Sequence, residues 1–162
     1  MNSKVHQRFR SMTRLTLVLA ALAGGIAAAA QAQTPLPERL LTPADLERVG
    51  LKGTVRPPAD MYDPADGLHF VRGTDSALVL TVTAPGGGGG LKETMQLLAT
   101  DAAAVSGVGD EAYTGLGGWM LMFRKGDKTI QMLTGMDVAG GGKIFLTPAQ
   151  LTDLAKVIVS RL

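Results

Sequence analysis

Apolar residues near the end of the chain recur at helical spacing: Leu151, Leu154, Ala155, Ile158 and Leu162 form one stripe. Thr147 and Gln150 flank Pro148 as a capping box, so a helix starts there. Leu91, Met95, Leu98 and Ala102 share a face in the same way and predict a helix from Leu91 to Ala103. A shorter helix, Pro43 to Val49, is marked by Thr42 before it, Pro43 in its first turn, Asp45 at its positive end and Gly50 after it. Ahead of it, Gln33 to Leu41, with Pro35 and Pro37, reads as an extended lead-in.

Between these helices the period changes to two. Leu68 to Val71 and Ala77 to Thr83 read as strands of a hairpin joined by Gly73 to Ser76. Asp110 to Thr114 reads as a short strand, and Trp119 to Arg124 and Thr129 to Thr134 flank the turn Lys125-Gly126-Asp127-Lys128. Pairing the last two across Gly126-Asp127 puts Trp119, Leu121, Phe123, Ile130 and Met132 on one face, the expected core side. Lys143 to Leu146, after Gly140-Gly141-Gly142, reads as a short edge segment. The order of elements predicts an α+β fold: an antiparallel sheet of about five strands, helices packed mainly on one face, and an amphipathic C-terminal helix. Leu41 to Leu46 and Leu146 to Leu151 are nearly the same phrase, but their flanks differ, so the echo reflects shared helix-start chemistry rather than a repeat.

The N-terminal stretch has a different pattern. Lys4, Arg8, Arg10 and Arg14 precede an apolar run, Leu15 to Ala30, which ends in Ala30-Gln31-Ala32 before Gln33. This is the pattern of a cleaved export signal, and the run falls short of the roughly 20 residues that span a bilayer. The expected organisation is a signal peptide over 1–32, the lead-in over 33–41 and a single α+β domain over 42–162, released to the periplasm or the medium without stable membrane insertion. Four of the 16 basic residues and none of the 14 acidic ones precede Gln33, so the mature chain has net charge −2. The missing basic stripe argues against a nucleic-acid partner. The absence of cysteine excludes thiol chemistry, thiolate metal sites and a thioether-linked lipid anchor.

Several groups of residues invite a chemical reading, and each meets an ordinary one. Gly86 to Gly90 precede a helix, but Gly90-Leu91-Lys92-Glu93-Thr94 lacks the Gly-Lys-Ser/Thr end of a phosphate loop. Asp60, Asp63 and Asp66 are spaced by three, without the alternation that a calcium loop needs. Met120, Met122, Met132 and Met136 suit copper(I), yet the hairpin register puts Met132 on the face opposite Met120 and Met122, and methionine is common core filler. His69 is the single histidine of the mature chain, with no serine or acid beside it in sequence. No catalytic set, metal site or cofactor is assigned on these grounds.

Val105-Ser106-Gly107-Val108-Gly109-Asp110-Glu111-Ala112-Tyr113 is the most distinctive phrase. With the Arg124 to Lys128 turn and the terminal helix containing Leu154-Ala155, it resembles small exported bacterial domains of unknown function found in secreted lipoproteins and in the outer parts of sensor proteins. The resemblance covers about the last 60 residues, on a Gly-x-Gly-Asp-x-Ala-Tyr phrase. It implies fold and compartment and transfers no site, and the chain lacks the anchoring cysteine of the lipoprotein members. The resulting expectation is an exported, non-enzymatic binding or accessory protein of the cell envelope. Its partner would be another envelope protein or a small ligand, with Asp110, Tyr113 and Trp119 as the surface to test. A hydrolase using His69 with a distant acid and a structural envelope protein are the alternatives.

Overall fold

Alternating apolar positions assemble into one antiparallel sheet of seven strands among the described residues, with a separate two-stranded ribbon. The computed structural model describes residues 36–57, 67–84, 90–138 and 140–162. The stretch expected to be an export signal, Asp60, Asp63, Asp66 and most of the glycine run lie outside them. In chain order the elements are α1 (Leu36–Leu40), α2 (Pro43–Arg48), β1 (Thr54–Val55), β2 (Gly67–Arg72), β3 (Asp75–Thr83), α3 (Leu91–Leu98), β4 (Ala103–Ala104), β5 (Glu111–Gly115), a 3-10 turn (Leu116–Gly118), β6 (Met120–Lys125), β7 (Lys128–Thr134), β8 (Met136–Asp137), β9 (Lys143–Ile144) and α4 (Pro148–Val159). The fold is α+β, with an amphipathic C-terminal helix, as the element pattern predicts.

The strand order is β1-β2-β3-β7-β6-β5-β4. Each sequential hairpin is local, but α3 carries the chain from the centre of the sheet to its far edge, and the meander β4 to β7 returns to pair β7 with β3. Leu68, Phe70, Leu78, Leu80, Ile130, Met132, Leu121 and Phe123 point to one side and pack with Leu40, Leu46, Leu151, Leu154 and Ile158 from α1, α2 and α4. On the other side α3 covers only the β5–β6 half, where Leu91 and Met95 meet Met120 and Met122. Three of the four described helices therefore share one face, and methionine serves as core filler on both.

Several expectations are corrected in detail. The lead-in read as extended holds the turn of helix α1: Leu36 and Leu40 lie four apart and both pack on the core, and Pro37 sits in the first turn where no N–H is needed. The helix expected to reach Ala103 ends at Leu98, with Ala99 extended and packed beside Gly115. The chain turns there because the Asp101 carboxylate accepts the Leu116 and Gly117 N–H groups, at 2.8 and 2.6 Å. Leu98, placed on the buried face by periodicity, is accordingly exposed. Leu162 lies past the end of α4 and is exposed too, and Lys143–Ile144 pairs with β8 instead of edging the main sheet. Trp119 precedes β6 in a helical backbone conformation, so the alternation that places Leu121 and Phe123 in the core does not extend to it.

The echoed phrases close the molecule. Thr42 N–H and Oγ1 both donate to Asp45 Oδ2, at 2.9 and 2.8 Å, while Thr147 N–H donates to Gln150 Oε1 at 2.8 Å. Gln150 Nε2 then donates to the Val49 carbonyl at the end of α2, 2.5 Å away, joining the two helices. Asp45 is 2% exposed and takes a two-pronged bond from Arg161, Nη1 to Oδ2 at 2.7 Å and Nη2 to Oδ1 at 2.9 Å. Arg161 Nη1 also donates to the Leu40 carbonyl at 2.8 Å. A helix-start residue thereby becomes the anchor of the chain's penultimate residue.

Candidate functional site

The three residues expected to form a contact surface are spread along β5 and the turn that follows it. Asp110 lies at one end of β5, where Oδ2 accepts the Gly126 N–H at 2.7 Å and Oδ1 pairs with Lys125 Nζ at 3.0 Å. Trp119 follows the opposite end, roughly 17 Å away at about 3.4 Å per strand residue. Tyr113 lies between them, half-buried beside the α3 cluster, with its hydroxyl donating to Glu111 Oε1 at 3.1 Å. Burial, then the Glu111 carboxylate, raises its phenol above the ordinary value, so it stays protonated at neutral pH.

Asp110 acts on the neighbouring hairpin rather than on its own turn. The Gly126 N–H, then Lys125, hold its carboxyl below the usual range. Gly109 has φ +57°, and a Cβ there would strike the Arg124 carbonyl, which accepts the Asp110 N–H at 2.8 Å. The glycine-rich phrase thus lets the backbone pass close to the β6–β7 turn. Asp110→Ala is expected to speed hydrogen exchange at the Gly126 amide and leave the exchange of α4 unchanged. Equal protection of Gly126 in both proteins would show that the clamp does not hold the turn.

The structure instead brings together two residues seven apart in sequence. His69 Nε2 and Ser76 Oγ lie 3.0 Å apart across the β2–β3 hairpin. Core alternation alone would put Ser76 with Leu78 and Leu80 on the helix-covered side, away from His69. A β-bulge changes this: Val71 pairs with Ser76, but Phe70 pairs with Leu78, so Ala77 is extra. Ala77 and Leu78 are then consecutive core residues, and Ser76 emerges on the side of His69 and Val71. His69 and Ser76 become diagonal neighbours on one face.

The end of β7 holds this bulge in place. Ala77 O accepts the Gly135 N–H at 3.0 Å, and Thr134 Oγ1 lies 3.3 Å from it. Thr134 is itself 1% exposed and accepts the Leu146 N–H at 3.1 Å. Gly135 passes so close that a Cβ would overlap the Ser76 carbonyl oxygen. The Gly135 backbone and the Thr134 hydroxyl, from a distant strand end, therefore fix the position of Ser76.

His69, Val71, Thr74, Ser76 and Val79 line a cavity of about 350 Å³. It lies on the sheet face whose other half carries α3, and a cross-strand row leads towards that helix: His69 beside Val79, Val79 beside Leu133, Leu133 beside Met120. His69 is 8% exposed, Ser76 is open to solvent and Leu133 is 37% exposed. Among the described residues His69 Nδ1 is buried without a hydrogen-bond partner. Asp75, next to Ser76, instead accepts the Val138 N–H at 3.3 Å, and Asp137 faces Arg72 at 3.9 Å. A histidine and a serine are thus paired beside an apolar wall, with no carboxylate of the described residues on the far ring nitrogen.

No serine stands near His69 in sequence, and only the bulge shows that Ser76 does in space. The phosphate and copper readings meet ordinary structural contacts, while Asp60, Asp63 and Asp66 lie outside the described residues. Glu93 packs against Gly90 at the start of α3, where a phosphate would sit. Met120 and Met122 lie in one core and Met132 in the other. Among the described residues no group of three or more His, Asp or Glu side chains is arranged to hold a metal, and no helix is long and apolar enough to cross a membrane. Comparison with protein-family models, with curated proteins and with solved structures finds no match to this chain.

Proposed function

We propose that the protein is an exported binding protein of the bacterial cell envelope and that it holds a small ligand in the His69–Ser76 cavity. One observation carries the reading: a buried histidine, paired with an exposed serine, lines a cavity of about 350 Å³ whose remaining wall is largely apolar. Ligand sites combine apolar walls with a few placed polar groups in this way, at volumes from about 300 Å³ upward. A small ligand is favoured over a protein partner because the cavity presents a polar pair beside apolar side chains, whereas Asp110 and Tyr113 are engaged in internal bonds. Export rests on the N-terminal pattern, for which the expected mature N-terminus is Gln33.

Protein purified from the exported fraction without denaturant is expected to show, by native mass spectrometry, a bound small molecule that the cavity-filling variant Val79→Trp lacks. Both proteins flying at the bare mass of the chain would remove the reading. Recovery of the chain from the cytoplasm with residues 1–32 intact would remove its exported setting.

A further inference from the structure

We infer that Ser76 is a nucleophile and that the cavity takes a carboxylic ester with an apolar acyl group. The inference rests on reading this cavity as the ligand site and adds a bond-forming step to it. The obstacle to such chemistry in the sequence was the lack of a serine near the single histidine of the mature chain, and the hairpin removes it. His69 Nε2 stands 3.0 Å from Ser76 Oγ, within reach for proton transfer. The base is buried while the nucleophile is open to solvent, as an incoming carbonyl requires.

Placement of the serine is rigid, because the Gly135 N–H and Thr134 Oγ1 converge on Ala77 O, the carbonyl following Ser76. Val71 and Val79 form the apolar wall, and partly exposed Leu133 continues it across the sheet, a surface suited to an alkyl or aryl acyl group. Thr74 supplies the other hydroxyl on the wall, able to donate to the carbonyl oxygen as negative charge develops there.

In the step itself Ser76 Oγ adds to the ester carbonyl carbon while its proton passes to His69 Nε2. The resulting tetrahedral species expels the alkoxide, which takes that proton, so the acyl–oxygen bond breaks and an acyl-serine and an alcohol are left. Water attacking the acyl-serine by the reverse proton path would release the acid and restore both residues. Accepting the proton at Nε2 requires the tautomer with hydrogen on Nδ1. Since no carboxylate meets Nδ1 among the described residues, that tautomer is not enforced, which slows acylation and deacylation alike; with an activated ester, whose phenolate leaves without taking the proton, deacylation becomes the slower step and the acyl-serine is expected to accumulate.

The test uses the full mature chain with p-nitrophenyl octanoate, p-nitrophenyl acetate and an octyl fluorophosphonate. Supporting results are one octanoyl or phosphonyl adduct per chain mapped to Ser76, faster p-nitrophenol release from the octanoate than from the acetate, and no adduct in Ser76→Ala. His69→Gln, shown to be folded by its thermal melt, should label at least tenfold more slowly. If that variant does not fold, the mapped adduct and the chain-length preference of the wild type still decide. Labelling of Ser106 or Ser160 at the rate of Ser76 would overturn the inference, as would a folded wild type that stays unmodified. An unmodified protein that still carries its co-purified small molecule loses the nucleophile but keeps the binding site, whereas one with neither adduct nor small molecule loses both.

Discussion

Replacing Arg161 by Ala is expected to destabilise the domain by about 3 kcal/mol, read as a lowered midpoint in urea unfolding, because it leaves a buried carboxylate with only the solvent-exposed Arg48 as a charged partner. The side chain of Asp45 is 1% exposed and that of Arg161 31%, and the two meet through a pair of bonds at 2.7 and 2.9 Å. Domains of this size have about 5–15 kcal/mol in total, so the loss is a large part of it. Arg48 also touches Asp45, at 3.0 Å, but its side chain is 72% exposed. Arg48→Ala should therefore cost less than about 1 kcal/mol. Similar losses from the two variants would mean that the buried pair does not hold the chain end.

The same pair predicts an acid response. The Arg161 hydrogen bond, against opposing burial and assisted by Thr42, lowers the Asp45 carboxyl from 3.8 to about 2. A carboxyl lowered by folding stabilises the folded form fully above its unfolded value, and that contribution is lost as pH falls from about 4 through about 2. Here it amounts to about 2 kcal/mol. Wild-type stability should drop steeply across that interval, and Arg161→Ala, already destabilised, should show a shallower slope there. An unchanged slope would place the acid sensitivity elsewhere, in Asp101 or Asp110, whose carboxyls are also held below the usual range.

Gly135→Ala is the second large effect. Its Cβ would occupy the position of the Ser76 carbonyl oxygen, and that obstacle is backbone, so no side-chain rotation relieves it. The Gly135 N–H donates to Ala77 O at 3.0 Å and Gly135 O accepts the Phe145 N–H at 3.0 Å, so moving residue 135 loosens contacts on both sides. The expected cost is about 3 kcal/mol by thermal or urea unfolding, in the range of overpacking that shifts backbone. A further readout separates this from general loosening: displacement of the bulge pulls Ser76 from His69, so the His69 ring resonances should shift as they do in Ser76→Ala. A variant as stable as wild type with unchanged His69 resonances would show that the bulge is not held from the end of β7.

Much of the fold was legible because it depends on short-range rules. The Thr147–Gln150 capping box, the Leu151, Leu154, Ala155 and Ile158 stripe, and the Lys125–Lys128 turn act within a few residues, and the structure keeps all three. The core faces of β6 and β7 follow from the register of one hairpin, which places Leu121 opposite Met132 and Phe123 opposite Ile130. The misread segments are those where a distant group intervenes. Helix α3 stops early because Asp101 bonds to the turn at Leu116 and Gly117, and Trp119 leaves the strand pattern at the end of that turn. Asp110 was legible as a residue that binds backbone N–H groups, but not that the N–H belongs to Gly126.

By itself, then, the sequence determined the α+β class, the helix starts at Thr42 and Thr147 and the inward faces of β6 and β7 from Leu121 to Met132, since hydrophobic periodicity and capping are local properties of the chain. Tertiary structure alone decided that β7 returns to β3, that Asp45 receives Arg161, and that Ser76 lies beside His69. The reason is physical. One extra residue in a strand reverses the facing of every residue beyond it, and this bulge is held by the Thr134 hydroxyl and the Gly135 backbone N–H, which reach Ala77 from more than fifty residues away.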